Sequence, residues 1–161
     1  MEEQKPPWLP EMIDLNGSWE AILNKLYGVF ENDFIRKPRY FDKLKVIWDN
    51  RKLDGRYDEG FWHLITKDDQ VTRERLPDFP RASRLSWCGP CISNYQDVIV
   101  RVWDFVEGNG KIRTYLWLEN WDYVVVLEKK PKTKEAFLVT AYYVEGDSTR
   151  RRLKKKLNDK L

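Results

Sequence analysis

The chain holds one histidine, His63, in the segment Gly60-Phe61-Trp62-His63-Leu64-Ile65-Thr66, and its last β-type run reads Phe137-Leu138-Val139-Thr140-Ala141-Tyr142-Tyr143. Brought together, these segments set an imidazole that titrates near neutral pH beside a hydroxyl and a phenol. Cleavage of RNA by its own 2'-hydroxyl needs a set of that kind. It requires a base near that hydroxyl, an acid near the 5' leaving oxygen, and cationic donors around a phosphorane that gains charge in the transition state. Arg81 and Arg84 are three apart, and guanidinium forks match phosphate oxygens. This reading gives His63 the base or acid role and Arg81 and Arg84 the phosphate. Thr140 would donate to a non-bridging oxygen, and Tyr142 would donate a proton or stack on a base. A plainer reading stays open: a histidine flanked by Phe61, Trp62 and Leu64 can be a packed residue with one satisfied hydrogen bond.

A second motif, Trp87-Cys88-Gly89-Pro90-Cys91, is similar letter for letter to the redox site of thioredoxins. In that family a Cys-x-x-Cys at a helix start lowers one thiol pKa and permits disulfide exchange. The setting differs here, because Asn94-Tyr95-Gln96-Asp97 leads straight into strands rather than through a long helix. Two core cysteines are the simpler reading, with a dithiol oxidoreductase as a rival. A lone cysteine pair also has too few ligands for structural zinc, so no metal or cofactor is expected.

The elements that would position these residues can be read from periodicity. The first eleven residues contain three prolines and read as a flexible arm, anchored at most by Trp8 and Leu9, ahead of a single domain over 12–161. A helix follows, because Asn16 or Ser18 can cap it and Trp19, Ile22, Leu23, Leu26, Val29 and Phe30 form a stripe at helical spacing. Leu44 to Trp48 reads as a short strand, Phe61 to Thr66 as strand or helix, and 78–95 as helical or irregular between prolines. Val98 to Val106, Lys111 to Leu118, Tyr123 to Glu128 and Ala136 to Val144 are four β-type runs joined by short turns. Connections that short cannot carry parallel crossovers, which predicts an antiparallel meander. The fold class is therefore α+β: N-terminal helices packed on a four-stranded antiparallel meander, closed by a basic C-terminal helix docked through Leu153 and Leu157.

Alternation along the strands divides the sheet into two faces. Val98, Val100, Val102, Ile112, Leu116 and Leu118 fall on one side. Arg101, Trp103, Arg113, Tyr115, Trp117, Thr140 and Tyr142 fall on the other, facing a cleft. On that face Tyr115 and Trp117 would stack unpaired bases or pack against a neighbouring segment, and Arg101 and Arg113 would meet phosphates.

Composition sets limits on all this. Forty-two per cent hydrophobic residues with eight tryptophans can bury a real core. Net charge is only +3, but residues 147–161 hold seven basic against two acidic residues. Arg150, Arg151 and Lys154 in that run would track a nucleic-acid backbone, or else form a solvated helix face. No apolar run approaches the roughly 18 residues needed to span a bilayer, and no basic segment precedes an apolar one at the start. With only two cysteines, the reading is a cytoplasmic protein without membrane contact.

The order of parts resembles the barnase, EndoU, colicin and RelE group of ribonucleases, in particular its phage-associated branch. Those members look like N-terminal helices followed by a four-stranded antiparallel meander. Many carry a Thr-Ala-Tyr element in the last strand, as in Val139-Thr140-Ala141-Tyr142, and an upstream histidine or arginine, as in Phe61-Trp62-His63 and Arg81-Ala82-Ser83-Arg84. The resemblance covers roughly residues 55 to 145, and this chain differs from many of those proteins in having a single histidine and the cysteine pair. It implies a metal-independent endoribonuclease that leaves a 2',3'-cyclic phosphate, acting as a toxin or phage-related effector. Its partners would be an RNA substrate such as tRNA, and an antitoxin or immunity protein. A non-catalytic RNA-binding domain with the same fold is the alternative.

Overall fold

The computed structural model describes residues 4–161. The chain runs through α1 (Trp19–Phe30), a π-helical turn (Glu31–Ile35), β1 (Tyr40–Phe41), β2 (Leu44–Ile47), α2 (Glu59–Ile65), β3 (Thr66–Asp68), β4 (Arg75–Pro77), α3 (Phe79–Ser83) and α4 (Leu85–Ser93). It continues through β5 (Val100–Val106), β6 (Ile112–Leu118), β7 (Tyr123–Lys130), β8 (Glu135–Tyr143) and α5 (Gly146–Asn158). The α+β class is as expected.

The expected four-stranded sheet is not what forms. Strands β5 to β8 pair consecutively and antiparallel, but they belong to a six-stranded mixed sheet of order β1-β2-β8-β7-β6-β5. In it β2 runs parallel to β8, with Lys45 opposite Glu135 and Ile47 opposite Phe137. Short turns ruled out parallel crossovers only among the last four strands. The long stretch from β2 to β8 has ample length for one, and the free edge of β8 needs partners for its amides and carbonyls. Strands β3 and β4 make a separate hairpin.

Helix α1 begins where Ser18 Oγ accepts from the amide of Ala21, and its stripe Ile22, Leu23, Leu26 and Phe30 is buried. The segment left open between strand and helix is helix α2. Its Phe61, Leu64 and Ile65 are buried at helical spacing. Helix α2 is fixed by two close fits. The buried Asp58 carboxylate, just ahead of it, accepts from Tyr27 Oη at 3.0 Å, Trp48 Nε1 at 2.8 Å and Lys52 Nζ at 2.7 Å. Gly60 lies against Trp48 so closely that a Cβ there would stand 2.8 Å from the tryptophan Cβ.

Two apolar clusters sandwich the sheet. Val100, Leu116, Leu118, Val125, Leu127, Leu138 and Ala141 face α1, α2 and α4. On the other face Trp103, Tyr115, Trp117, Val124 and Val126 lie beneath Leu153 and Leu157 of α5. On the aliphatic face Val100, Leu116 and Leu118 are buried as the alternation indicated, but Val98, Val102 and Ile112 are exposed, and the expected open cleft on the other face is filled by α5. Three large aromatic rings, each with roughly 150–250 Å² to bury, favour a helix over water by several kcal/mol at about 25 cal/mol per Å². This also explains why β7 is apolar on both sides. A register shift between Val126 and Leu127 turns Val139 toward the second cluster, on the same side as Tyr142 rather than opposite it.

Over its described residues the proline-rich start is anchored at Trp8 and Leu9, the two residues expected to hold it, and also at Pro10. Leu9 is buried, Trp8 Nε1 donates to Asp97 at 2.9 Å, and Trp87 Nε1 donates to the Pro10 carbonyl at 2.8 Å. Residues 1–3 lie outside the described residues. Among the described residues no helix is long and apolar enough to cross a membrane.

Candidate active site

Helix α2 packs on β8, and His63 and Thr140 meet there. Thr140 Oγ1 donates to the main-chain oxygen of His63 at 3.1 Å. Arg81 Nη1 donates to the same oxygen at 3.0 Å and to the Thr66 oxygen at 2.6 Å. Carbonyls at a helix C-terminus lack intrahelical partners and carry the negative end of the helix dipole, so a guanidinium is a matched cap. Arg81 is therefore held rigidly. Its Nε is buried without a hydrogen bond, 3.6 Å from Asp78 Oδ2.

The His63 side chain is half-buried and makes no hydrogen bond among the described residues. Burial first, and then the positive charges of Arg75 and Arg81, pull its pKa below the usual histidine value, with Asp49 and Asp68 partly opposing. The lowered pKa favours the neutral imidazole, the form that accepts a proton. Arg75 is itself fixed by Thr66 Oγ1 at 2.8 Å, the Thr66 carbonyl at 3.1 Å and Asp68 at 2.9 Å. Sequence reasoning did not assign Arg75, Asp49 or Asp68 to the site. The antiparallel register that sets Asp68 opposite Arg75 belongs to a hairpin too polar to show as strand by alternation.

Tyr142 completes the group. Its ring lies 5.9 Å from the Arg81 guanidinium carbon, and burial above all pushes its phenol up to about 12. It stays protonated and keeps an O–H that can donate to a ligand. His63 lies in the field of two guanidinium groups, and one of them, Arg81, also faces the Tyr142 phenol, a set suited to proton transfer beside an anion.

Arg84 does not join them. Its guanidinium stacks over the Tyr143 ring at 4.0 Å, lies 5.4 Å from the Trp87 ring, and donates to the Pro80 carbonyl at 2.8 Å. Adjacent side chains on a strand alternate in direction, so Tyr142 and Tyr143 lead Arg81 and Arg84 to opposite sides of β8. The expected two-arginine phosphate clamp does not form.

The residues expected to bind nucleic acid are largely engaged elsewhere. Tyr115 and Trp117 are buried at 4% and 0% exposure, with Tyr115 stacked on Trp103 at 5.2 Å, and neither ring is open to a base. Arg101 pairs with Glu119 at 2.7 Å and Arg113 with Glu128 at 3.5 Å. Arg150 pairs with Asp122 and lies over the Trp117 ring at 5.3 Å, while Lys154 is 3.8 Å from Glu119. Arg151 is exposed and without an acidic partner among the described residues. The basic helix is thus in part an anchor, holding α5 to the sheet and to the Glu119–Trp121 turn.

Cys88 and Cys91 lie inside α4 rather than at its start, and both are fully buried. Burial pushes the Cys88 thiol up to about 12 and Cys91 higher still. Neither thiol supplies the thiolate that disulfide exchange requires. The glycine between them has a packing reason: a Cβ on Gly89 would stand 2.7 Å from the Arg39 guanidinium carbon. Arg39 is anchored by the Asp33 carbonyl at 2.9 Å and Ser93 Oγ at 2.7 Å. Among the described residues no three His, Cys, Asp or Glu side chains gather as a metal site.

No family model matches the chain, and no curated protein or solved structure matches it either. These comparisons lend no support to the expected resemblance to ribonucleases.

Proposed function

We propose that the protein is a metal-independent endoribonuclease, cleaving RNA by attack of the 2'-hydroxyl to leave a 2',3'-cyclic phosphate. The observation that carries this reading is the half-buried, neutral His63 imidazole lying under the charge of Arg75 and Arg81, with the Tyr142 phenol beside Arg81. His63 takes the 2'-hydroxyl proton, Arg81 and Arg75 favour the developing phosphorane charge, and Tyr142 protonates or hydrogen-bonds the leaving side. The resemblance to the phage-associated ribonucleases extends the proposal to a cytoplasmic toxin or effector that acts on RNA, tRNA included. An antitoxin or immunity protein would be its restraining partner.

A specific observation favours the second reading, a non-catalytic RNA-binding domain. Thr140 and Arg81 both direct hydrogen bonds into the α2 backbone, and structural bonds of that kind would persist without catalysis.

One experiment separates the two. Total RNA is incubated with the protein and a metal chelator beside His63→Ala and Tyr142→Phe, and the product ends are identified. Discrete cyclic-phosphate products that fall at least about a hundredfold in His63→Ala support the enzyme. Intact RNA in every lane, with retained RNA affinity that weakens as salt rises, moves the assignment to the binding domain.

A further inference from the structure

The pocket between β8 and α5 takes Arg81 and Tyr142 from the proposed active site, but its α5 side has no role derived so far. It has a volume of about 320 Å³ and is lined by Arg81, Tyr142, Thr149, Arg152, Leu153 and Lys156. On α5 these are positions i, i+3, i+4 and i+7, one face of the helix, so the basic run delivers side chains here as a consequence of helical spacing. Three cations converge on it. Lys156 Nζ is held by Tyr115 Oη at 2.8 Å and by Glu107 Oε2 at 3.2 Å, and Arg81 has Asp78 at 3.6 Å. Arg152 has no carboxylate among the described residues. Its one polar contact is Thr149 Oγ1 at 3.5 Å. The lining therefore keeps an uncompensated positive charge beside two hydroxyls, Thr149 and Tyr142, and the Tyr142 hydroxyl has no partner among the described residues.

Such a lining suits an oxyanion with several acceptor atoms. Guanidinium and ammonium groups donate to a phosphoryl group with about twice the strength of neutral donors, and the hydroxyls add directional bonds. A carboxylate offers only two oxygens to this many donors. We propose that the pocket is a phosphoryl-binding site, in which Arg152, Arg81 and the Tyr142 hydroxyl contact the group and Lys156 adds to the field. Arg81 and Tyr142 are shared with the ribonuclease reading, and that reading supplies the expected source of the phosphoryl group, an RNA chain. The site itself stands on the α5 residues and needs no chemistry at His63.

The test is a titration of the full chain with inorganic phosphate, followed by calorimetry and by the phosphorus resonance, beside Arg152→Ala and Tyr142→Phe. Arg152 is exposed and makes no contact that the fold needs, so Arg152→Ala keeps the wild-type melting profile. Saturable phosphate binding that weakens about tenfold or more in Arg152→Ala, and also weakens in Tyr142→Phe, supports the site. No saturable binding, or binding unchanged in Arg152→Ala, overturns it. A short oligoribonucleotide with a 5'-phosphate, compared with its 5'-hydroxyl counterpart, identifies the source. Preference for the phosphorylated form assigns a terminal phosphate. Equal binding, weakened in both by Arg152→Ala, assigns an internal phosphodiester. Phosphate binding with intact RNA would sink the ribonuclease reading and leave the site. RNA cleavage without phosphate binding would do the reverse.

Discussion

The Thr140 hydroxyl donates to the main-chain oxygen of His63 at 3.1 Å, joining the last strand of the sheet to the C-terminal turn of α2. The two segments singled out by their chemistry do meet, and they meet through a backbone atom that orients the helix carrying the imidazole. Replacing Thr140 by valine keeps the shape and removes the donor, while Arg81 still holds the carbonyl. A loss of about 1 kcal/mol is expected in urea denaturation, with Thr140→Ser close to wild type. An unchanged midpoint in Thr140→Val would show that the bond contributes nothing.

His63 gives a pH signature with a definite sign. Its folded-state pKa lies below the unfolded one, so the unfolded chain takes up the proton first as pH falls. The stabilisation is complete above about pH 6.5 and is lost as pH falls through the folded-state value. Denaturation midpoints at pH 7.5 and 5 should therefore differ less in His63→Gln than in wild type. For the proposed ribonuclease activity, the acid limb of kcat/KM should lie below about pH 6.5, because the base works while neutral.

The cysteines should be silent in the native protein. With Cys88 pushed up to about 12 and both side chains buried, alkylation at pH 8 is expected to run at least about a hundredfold slower than in guanidinium, where both label fully. Mass spectrometry of the two samples checks this. Rapid native labelling of Cys88 would bring the dithiol reading back.

Trp117 distinguishes a core residue from a stacking platform. Fully buried under α5, it should lower stability by about 3–5 kcal/mol when changed to alanine. A base-stacking surface residue would instead lose RNA affinity at constant stability. Leu153→Ala, on the helix above it, should cost about 2–5 kcal/mol by the same mechanism.

Much of this architecture was legible from local pattern. The α1 stripe, the strand at Leu44, the turns between β5 and β8, and the docking of α5 through Leu153 and Leu157 all follow from periodicity and turn chemistry. The parallel β2–β8 pair was not, because register between distant strands leaves no local signal. Alternation correctly separated Tyr115 and Trp117 from Leu116 and Leu118, yet it cannot say whether a face meets water or a helix. Within the site, Thr140 and Arg81 meet the main chain of His63 and Arg81 meets Tyr142, whereas Arg84 is lost to the alternation of Tyr142 and Tyr143. Arg75 and Arg152 were given no role of their own, one in a polar hairpin and the other inside a run of like charges.

The pairing of Lys45 with Glu135 also bears on how the chain reaches its native state. The edge formed by β1 and β2 has no place in the sheet until β8 exists, so the contact bridges most of the sequence and closes a large loop before any reward is gained. The antiparallel β5 to β8 ladder, built from neighbours, can assemble first. Docking of β2 is then expected late, so mutations along it should quicken unfolding far more than they slow folding.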